Sequence, residues 1–252
     1  MGDRILDISS RALEASDSGV RSMVNNIVNA QTPGYKKTGV VVHSFSSHLE
    51  KASNALESRV SEGAVYPKIS GEYRSPVQGP LYKTGAKLDV AIGGNSFFVV
   101  QGPEGEVYTR DGRFHLDENG SLVTTSGGYQ VMGIGGPIMV IPGSKVEIKN
   151  DGTILVDSVQ SDKLRLVLFD KPENLDSFNG TFFRFPETGG VSITEEQNPR
   201  VLQGFLESSN VNIMEEMMNM IYLERTFATV SKLVLTRDTT MSRALEMGRP
   251  AQ

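Results

Sequence analysis

Leu6, Leu13, Val20 and Ile27 fall seven residues apart, and so do Ile213, Met220, Phe227, Val234 and Met241 near the other end of the chain. Apolar side chains at that spacing line one stripe of an α-helix, and such a stripe must be covered by something apolar. The repeats predict amphipathic helices over residues 5–30 and from 213 onward. Neither is stable alone, because isolated helices are marginal in water unless packed. Burying one stripe contributes on the order of 8 to 12 kcal/mol before chain entropy is subtracted. The second position of the N-terminal stripe holds Ser9, Ser16, Met23 and Ala30, mostly small or polar, which favours close helix approach. Gly19 within that helix costs about 1 kcal/mol relative to Ala, tolerable where a neighbour passes close. Met217, Leu223 and Val230 flank the C-terminal stripe. Pro33 and Gly34 stop the first helix, Asn212 with Glu215 resembles a capping box opening the second, and Gly248 with Pro250 ends it.

The middle of the chain has the other periodicity. Residues 88–92, 97–100, 107–109, 129–132, 138–141 and 164–169 form short apolar or alternating runs punctuated by glycine, the pattern of a compact β domain. Two segments echo each other: Leu116 to Leu122 around Gly120, and Ile148 to Ile154 around Gly152. Each reads as a hairpin whose glycine takes a positive φ. The predicted class is α+β, a central all-β domain with N- and C-terminal long helices forming a coiled-coil-like assembly core. The expected divisions are an assembly helix at 1–35, an extended connector at 36–80, the β-rich domain at 81–205 and a second assembly helix at 206–252.

Composition and motifs argue against chemistry. Of 252 residues 38% are hydrophobic, enough for a core, and the net charge of −5 gives no electrostatic drive toward nucleic acid. No apolar run approaches the roughly 20 residues that span a bilayer, and Met1-Gly2-Asp3-Arg4 lacks the basic start of a cleaved signal. There is no cysteine, hence no disulfide and no thiolate chemistry. His43, His48 and His115 have no paired metal spacing, and Asp117-Glu118 and Glu195-Glu196 read as solvated turn residues. Gly133-Ile134-Gly135-Gly136 runs into Pro137 rather than a helix, so it is not a dinucleotide fingerprint. No catalytic, cofactor or metal residue is assigned, and the chain is read as a non-enzyme.

Three stretches carry a family resemblance. Asn25-Asn26-Ile27-Val28-Asn29-Ala30-Gln31-Thr32-Pro33-Gly34-Tyr35-Lys36 resembles the N-terminal signature of the bacterial flagellar rod and hook family. Leu88-Asp89-Val90-Ala91-Ile92, Phe97 to Val100 and Tyr108-Thr109-Arg110-Asp111-Gly112-Arg113-Phe114 are similar to its central motif. Gln203-Gly204-Phe205-Leu206-Glu207-Ser208-Ser209-Asn210-Val211-Asn212, then Glu215-Glu216-Met217 and Met220-Ile221, resemble its C-terminal signature. The motif positions singled out are Thr32, Pro33, Gly34, Tyr35, Asp89, Gly204, Asn210 and Asn212.

The resemblance implies a subunit of the periplasmic rod of the flagellar basal body, which carries torque to the hook. It implies export by the flagellar type III apparatus without a cleaved signal, and polymerisation through the terminal helices with other copies and other axial proteins. The assembly interface is then expected at Leu6, Leu13, Val20, Asn26, Ile27 and Asn29, and at Ile213, Met217, Met220, Phe227, Val234 and Met241. The single β domain and the run Gly136 to Val140 favour a proximal-rod subunit over a distal-rod or hook subunit. An exported trimeric coiled-coil adhesin would also carry heptads but would want a secretion signal and membrane anchor, and a cell-wall enzyme would need an acidic pair or metal site.

Overall fold

The computed structural model of the protein describes residues 2–44, 67–185 and 190–247. Among them the chain runs from helix α1 (Gly2–Val28) through nineteen β-strands to helix α2 (Ile213–Met247). It divides into two compact units. One comprises Met1–Ile27, Thr38–Tyr73 and Ile213–Gln252, and the other Val28–Lys37 and Arg74–Asn212.

The second unit holds the β-rich body, and its logic is visible in the strand Phe97–Gly102. That strand pairs with Gly105–Thr109, Gln130–Gly133 and Leu166–Phe169. Alternate residues along a strand face opposite sides. Phe98 and Val100 enter a core with Val90, Ile92, Leu122, Ile138, Ile154 and Leu164. Phe97 and Val99 enter another with Tyr108, Val167, Phe169, Leu175 and Phe183. Burial on both faces is why the sequence there is continuously apolar rather than alternating. Phe98 packs edge-on to Phe114 with ring centres 5.1 Å apart, and Phe97 does the same with Phe169 at 5.2 Å. Full burial of a side chain such as Phe98 is worth about 3 kcal/mol.

Both glycine hairpins form. Leu116 lies opposite Leu122 and Ile148 opposite Ile154, with Gly120 at φ 81° and Gly152 at φ 83°. A two-stranded ladder joins Arg200–Gln203 to Val90–Gly93, and another joins Phe205–Glu207 to Leu81–Lys83. The last strands of the body thus close on its first.

In the other unit, Thr38–Ser44 pairs with Pro67–Arg74, so the ends of the expected connector are strand. His48 and the rest of residues 45–66 lie outside the described residues.

The expected fold class requires correction. The terminal helices do not form a coiled-coil core; among the described residues there are two α-helices and a large β-sheet-rich body. On α2 three of the assigned positions face solvent, Met217 at 45% exposed, Phe227 at 43% and Ile213 at 36%, while Met220 is half-buried. The helices approach each other at Gly19 and at Asn26. A Cβ added to Gly19 would lie 2.8 Å from Leu223 Cδ2, and a polar contact links Asn26 to Glu216. The physical reason is that α2 carries Met214, Met218, Ile221 and Tyr222 as well, all exposed. Its apolar residues wrap around more than one face, so seven-residue spacing along one line does not select a single partner helix.

Candidate functional site

Thr32-Pro33-Gly34-Tyr35-Lys36 follows α1 as a tight turn, with the Thr32 N–H donating to Asn29 O at 3.0 Å and the Tyr35 N–H to Thr32 O at 3.2 Å. Pro33, Gly34, Tyr35 and Lys36 are buried. Gly34 has φ 72° and donates its N–H to Glu207 O at 2.9 Å. A Cβ at this position would sit 2.5 Å from the Arg110 carbonyl carbon, inside the backbone of the central motif. Glycine is required twice over, by left-handed backbone and by close approach.

The side chain of Lys36 then enters a buried charge cluster. Its Nζ donates to Glu207 Oε1 at 2.6 Å and to Val77 O at 2.9 Å. The same carboxylate oxygen accepts the Gly79 N–H at 3.0 Å, while Oε2 accepts from Arg110 Nη1 at 3.3 Å. The Arg110 guanidinium lies over the Phe97 ring, 4.7 Å from its centre. The side chains of Lys36, Arg110 and Glu207 are 4%, 1% and 1% exposed. Burial pushes the Lys36 ammonium below its usual value, with Arg110 adding to the effect and Glu207 opposing it. Burial likewise lowers Arg110, again against Glu207. Two cations thus share one carboxylate in a site closed to solvent.

The remaining motif residues clamp the same region. Asn210 Oδ1 accepts the Lys37 N–H at 2.7 Å, and its Nδ2 donates to Val77 O at 2.9 Å and to Ser75 O at 3.3 Å. Gly204, at φ 76°, donates its N–H to Asp89 O at 2.7 Å and accepts from the Thr84 and Gly85 N–H groups. Asp111 takes both Nε and Nη2 of Arg113, at 2.9 and 2.7 Å, and this bond is the main cause of a raised Arg113 pKa. All three sequence motifs therefore converge on one place in the β body. Lys36, Arg110 and Glu207 were not singled out by sequence reasoning, although each sits inside one of the three motifs.

The expected assembly positions are distributed differently. Asn26, 1% exposed, is used within its own unit: Nδ2 donates to Glu216 Oε2 at 2.9 Å and to Thr38 O at 2.8 Å, and Oδ1 accepts the Thr38 N–H at 2.9 Å. Ser22 Oγ donates to Thr38 O at 3.0 Å. Leu13, Val20, Ile27, Asn29 and Met220 are half-buried. Asn212 is exposed at the start of α2, where Ile213, Met217 and Phe227 are exposed too. The side chains of Leu6, Val234, Met241 and His43 lie outside the described residues.

Around Gln203 and Gly204 an open cleft of about 420 Å³ is lined by Lys83, Lys87, Lys145 and Glu147. Among the described residues no group of three or more His, Cys, Asp or Glu could hold a metal ion, and no helix is long and apolar enough to cross a membrane.

Comparison with known proteins gives a consistent picture. Residues 91–156 match the family described as the flagellar hook protein FlgE/F/G D1 domain, and residues 202–247 match the flagellar basal body rod FlgEFG protein C-terminal region. The flagellar basal-body rod protein FlgG of Buchnera aphidicola subsp. Acyrthosiphon pisum is 33% identical over 95% of this chain and 98% of its own. The flagellar basal-body rod protein FlgF of Rhizobium meliloti is 33% identical over 92% of each chain. FlgG of Borreliella burgdorferi is 28% identical over 98% of this chain and 99% of its own.

Proposed function

The chain belongs to the flagellar hook and basal-body rod family, and from that membership we propose that it is a structural, non-catalytic subunit of the bacterial flagellar rod. The observation that carries this reading is similarity to rod proteins along nearly the whole chain, spanning both terminal helices and the β body. The geometry agrees with it. The buried charge cluster of Lys36, Arg110 and Glu207 is closed to solvent, so it holds chain segments together rather than meeting a substrate.

Assembly falls to the terminal helices in this reading. Met214, Met218 and Tyr222 on α2 are 70%, 65% and 74% exposed, and Leu235 further along is 65% exposed. A helix that leaves so many large apolar side chains in water gains stability when neighbours cover them. The neighbours are other copies and other axial proteins of the flagellum, reached after export into the periplasm. A contact between unlike surfaces repeated around an axis builds an open filament, which is what a drive shaft requires. The 33% identity is the same to a FlgG and to a FlgF, so it does not choose between those two kinds of rod protein. We keep the proximal position as the proposal.

The test is incorporation. A tagged chain expressed in its own flagellated host should purify with the hook–basal-body complex and resist extraction with it. Recovery only in the soluble fraction of motile cells, with basal bodies that lack the tag, would overturn the reading.

A further inference from the structure

We infer that residues 28–37 form a latch that closes last on the β body, and that the charge of Glu207 gates it. The partners of Gly34, Lys36 and Lys37 described above lie in the same unit, and they come from late and middle parts of the chain. The Gly34 N–H and Lys36 Nζ bond to Glu207, the Lys37 N–H bonds to Asn210, and Lys36 Nζ also reaches Val77 O. Glu207 is held by the ladder that pairs Phe205, Leu206 and Glu207 with Lys83, Tyr82 and Leu81. Until that ladder forms, the latch has neither its main anchor nor its counter-charge.

Electrostatics makes the order one-way. With the ladder formed and the latch open, Arg110 and Glu207 are a neutral pair, and the guanidinium keeps the face of Phe97. Closing the latch before Glu207 arrives would put the Lys36 ammonium beside the Arg110 guanidinium with no anion between them, at positions that are 4% and 1% exposed in the complete fold. Taking an ion out of water without a partner is strongly unfavourable. The state with the body closed and the latch open is therefore accessible, and the reverse state is not.

The segment leaving α1 thus waits for the strand preceding α2, 171 residues away. In any chain that emerges N-terminus first, the two helix attachments become fixed together and only when the last strand of the body is present. The latch follows from the geometry of the body alone; its use in controlling when rod subunits become competent rests on the function proposed above.

Hydrogen exchange on the full-length chain tests it, independently of any assembly assay. During refolding with pulse labelling, protection of the Gly34 and Lys37 amides is expected no earlier than that of 205–207, and after that of the strands at 97–109. At equilibrium, Lys36→Met should leave the body protected while residues 32–37 exchange at least ten-fold faster. Glu207→Gln should open the latch further, and the double variant Lys36→Met/Glu207→Gln should exchange more slowly at 32–37 than Glu207→Gln, because one buried cation has gone. Early protection of Gly34 and Lys37, or unchanged exchange in Lys36→Met, overturns the latch. Equal exchange in Glu207→Gln and the double variant overturns the charge gate.

Discussion

Asn26 on α1 and Glu216 on α2, separated by 190 residues, share a hydrogen bond of 2.9 Å, and the two residues are 1% and 2% exposed. The same amide satisfies the Thr38 N–H and carbonyl at 2.9 and 2.8 Å. Asn26→Ala would leave a buried carboxylate without this donor and the Thr38 N–H without its acceptor, while the Thr38 carbonyl keeps the Ser22 hydroxyl. We expect a loss of about 2 to 3 kcal/mol, the cost of removing one charge-assisted hydrogen bond and one acceptor of a buried backbone N–H. Urea unfolding followed by helical circular dichroism measures it, and a loss below about 1 kcal/mol would show that water replaces the amide freely.

Gly34→Ala tests the turn that carries the N-terminal motif. The added methyl meets the backbone of Arg110 and Asp111, which cannot rotate away as a side chain can, and alanine also resists φ 72°. A destabilisation of about 3 kcal/mol or more is expected from strain and overpacking together. Gly128 is a control: its φ is 66° but nothing lies within 4 Å of its Cβ position. Gly128→Ala should cost only about 1 kcal/mol, the penalty of left-handed backbone by itself. Thermal unfolding of the pair separates conformation from contact.

These residues show how far the sequence reaches. The hairpins at Gly120 and Gly152 were legible because turn chemistry is local and glycine is what a positive φ demands. The first four residues of the strand Phe97–Gly102 were legible as an unbroken apolar run. The packing of the helices was not, because seven-residue spacing describes a line on one helix and says nothing about what lies across from it. The cluster of Lys36, Arg110 and Glu207 was visible as three motifs and invisible as a site. Its members are joined by the register of the ladder between Phe205–Glu207 and Leu81–Lys83, which no local pattern encodes.

Tyr108 supplies a pH dependence. Burial, reinforced by the charge of Glu106 and opposed by Arg165, pushes its phenol from 10.0 up to about 12. Between those values the unfolded chain loses the proton and the folded chain keeps it, so the folded state binds more protons and stability falls as pH rises. The contribution is intact below pH 10 and is lost progressively toward pH 12, by about 2 to 3 kcal/mol in total. Tyr108→Phe should remove that part of the alkaline decline. In absorbance titration at 295 nm (the phenolate band) it should also remove a component with a midpoint of about 12. A decline identical in both proteins would assign the loss to other groups.

Met218 and Tyr222 lie one helical turn apart on α2 and are 65% and 74% exposed. A monomer gains little from side chains so placed, whereas a neighbour that covered both would bury most of their apolar surface at about 25 cal/mol per Å². Met218→Lys/Tyr222→Gln keeps good helix formers at both positions, so the stability of the isolated chain should change by less than about 0.5 kcal/mol. Assembly should respond in the opposite way, because a buried lysine in a repeated contact costs free energy at every subunit of the filament. The expected result is a protein with unaltered thermal unfolding that fails to enter basal bodies and fails to restore motility to a strain lacking the native chain. Normal incorporation of the double variant would place this face of α2 in water in the finished rod and move the contact to α1 or to the β body.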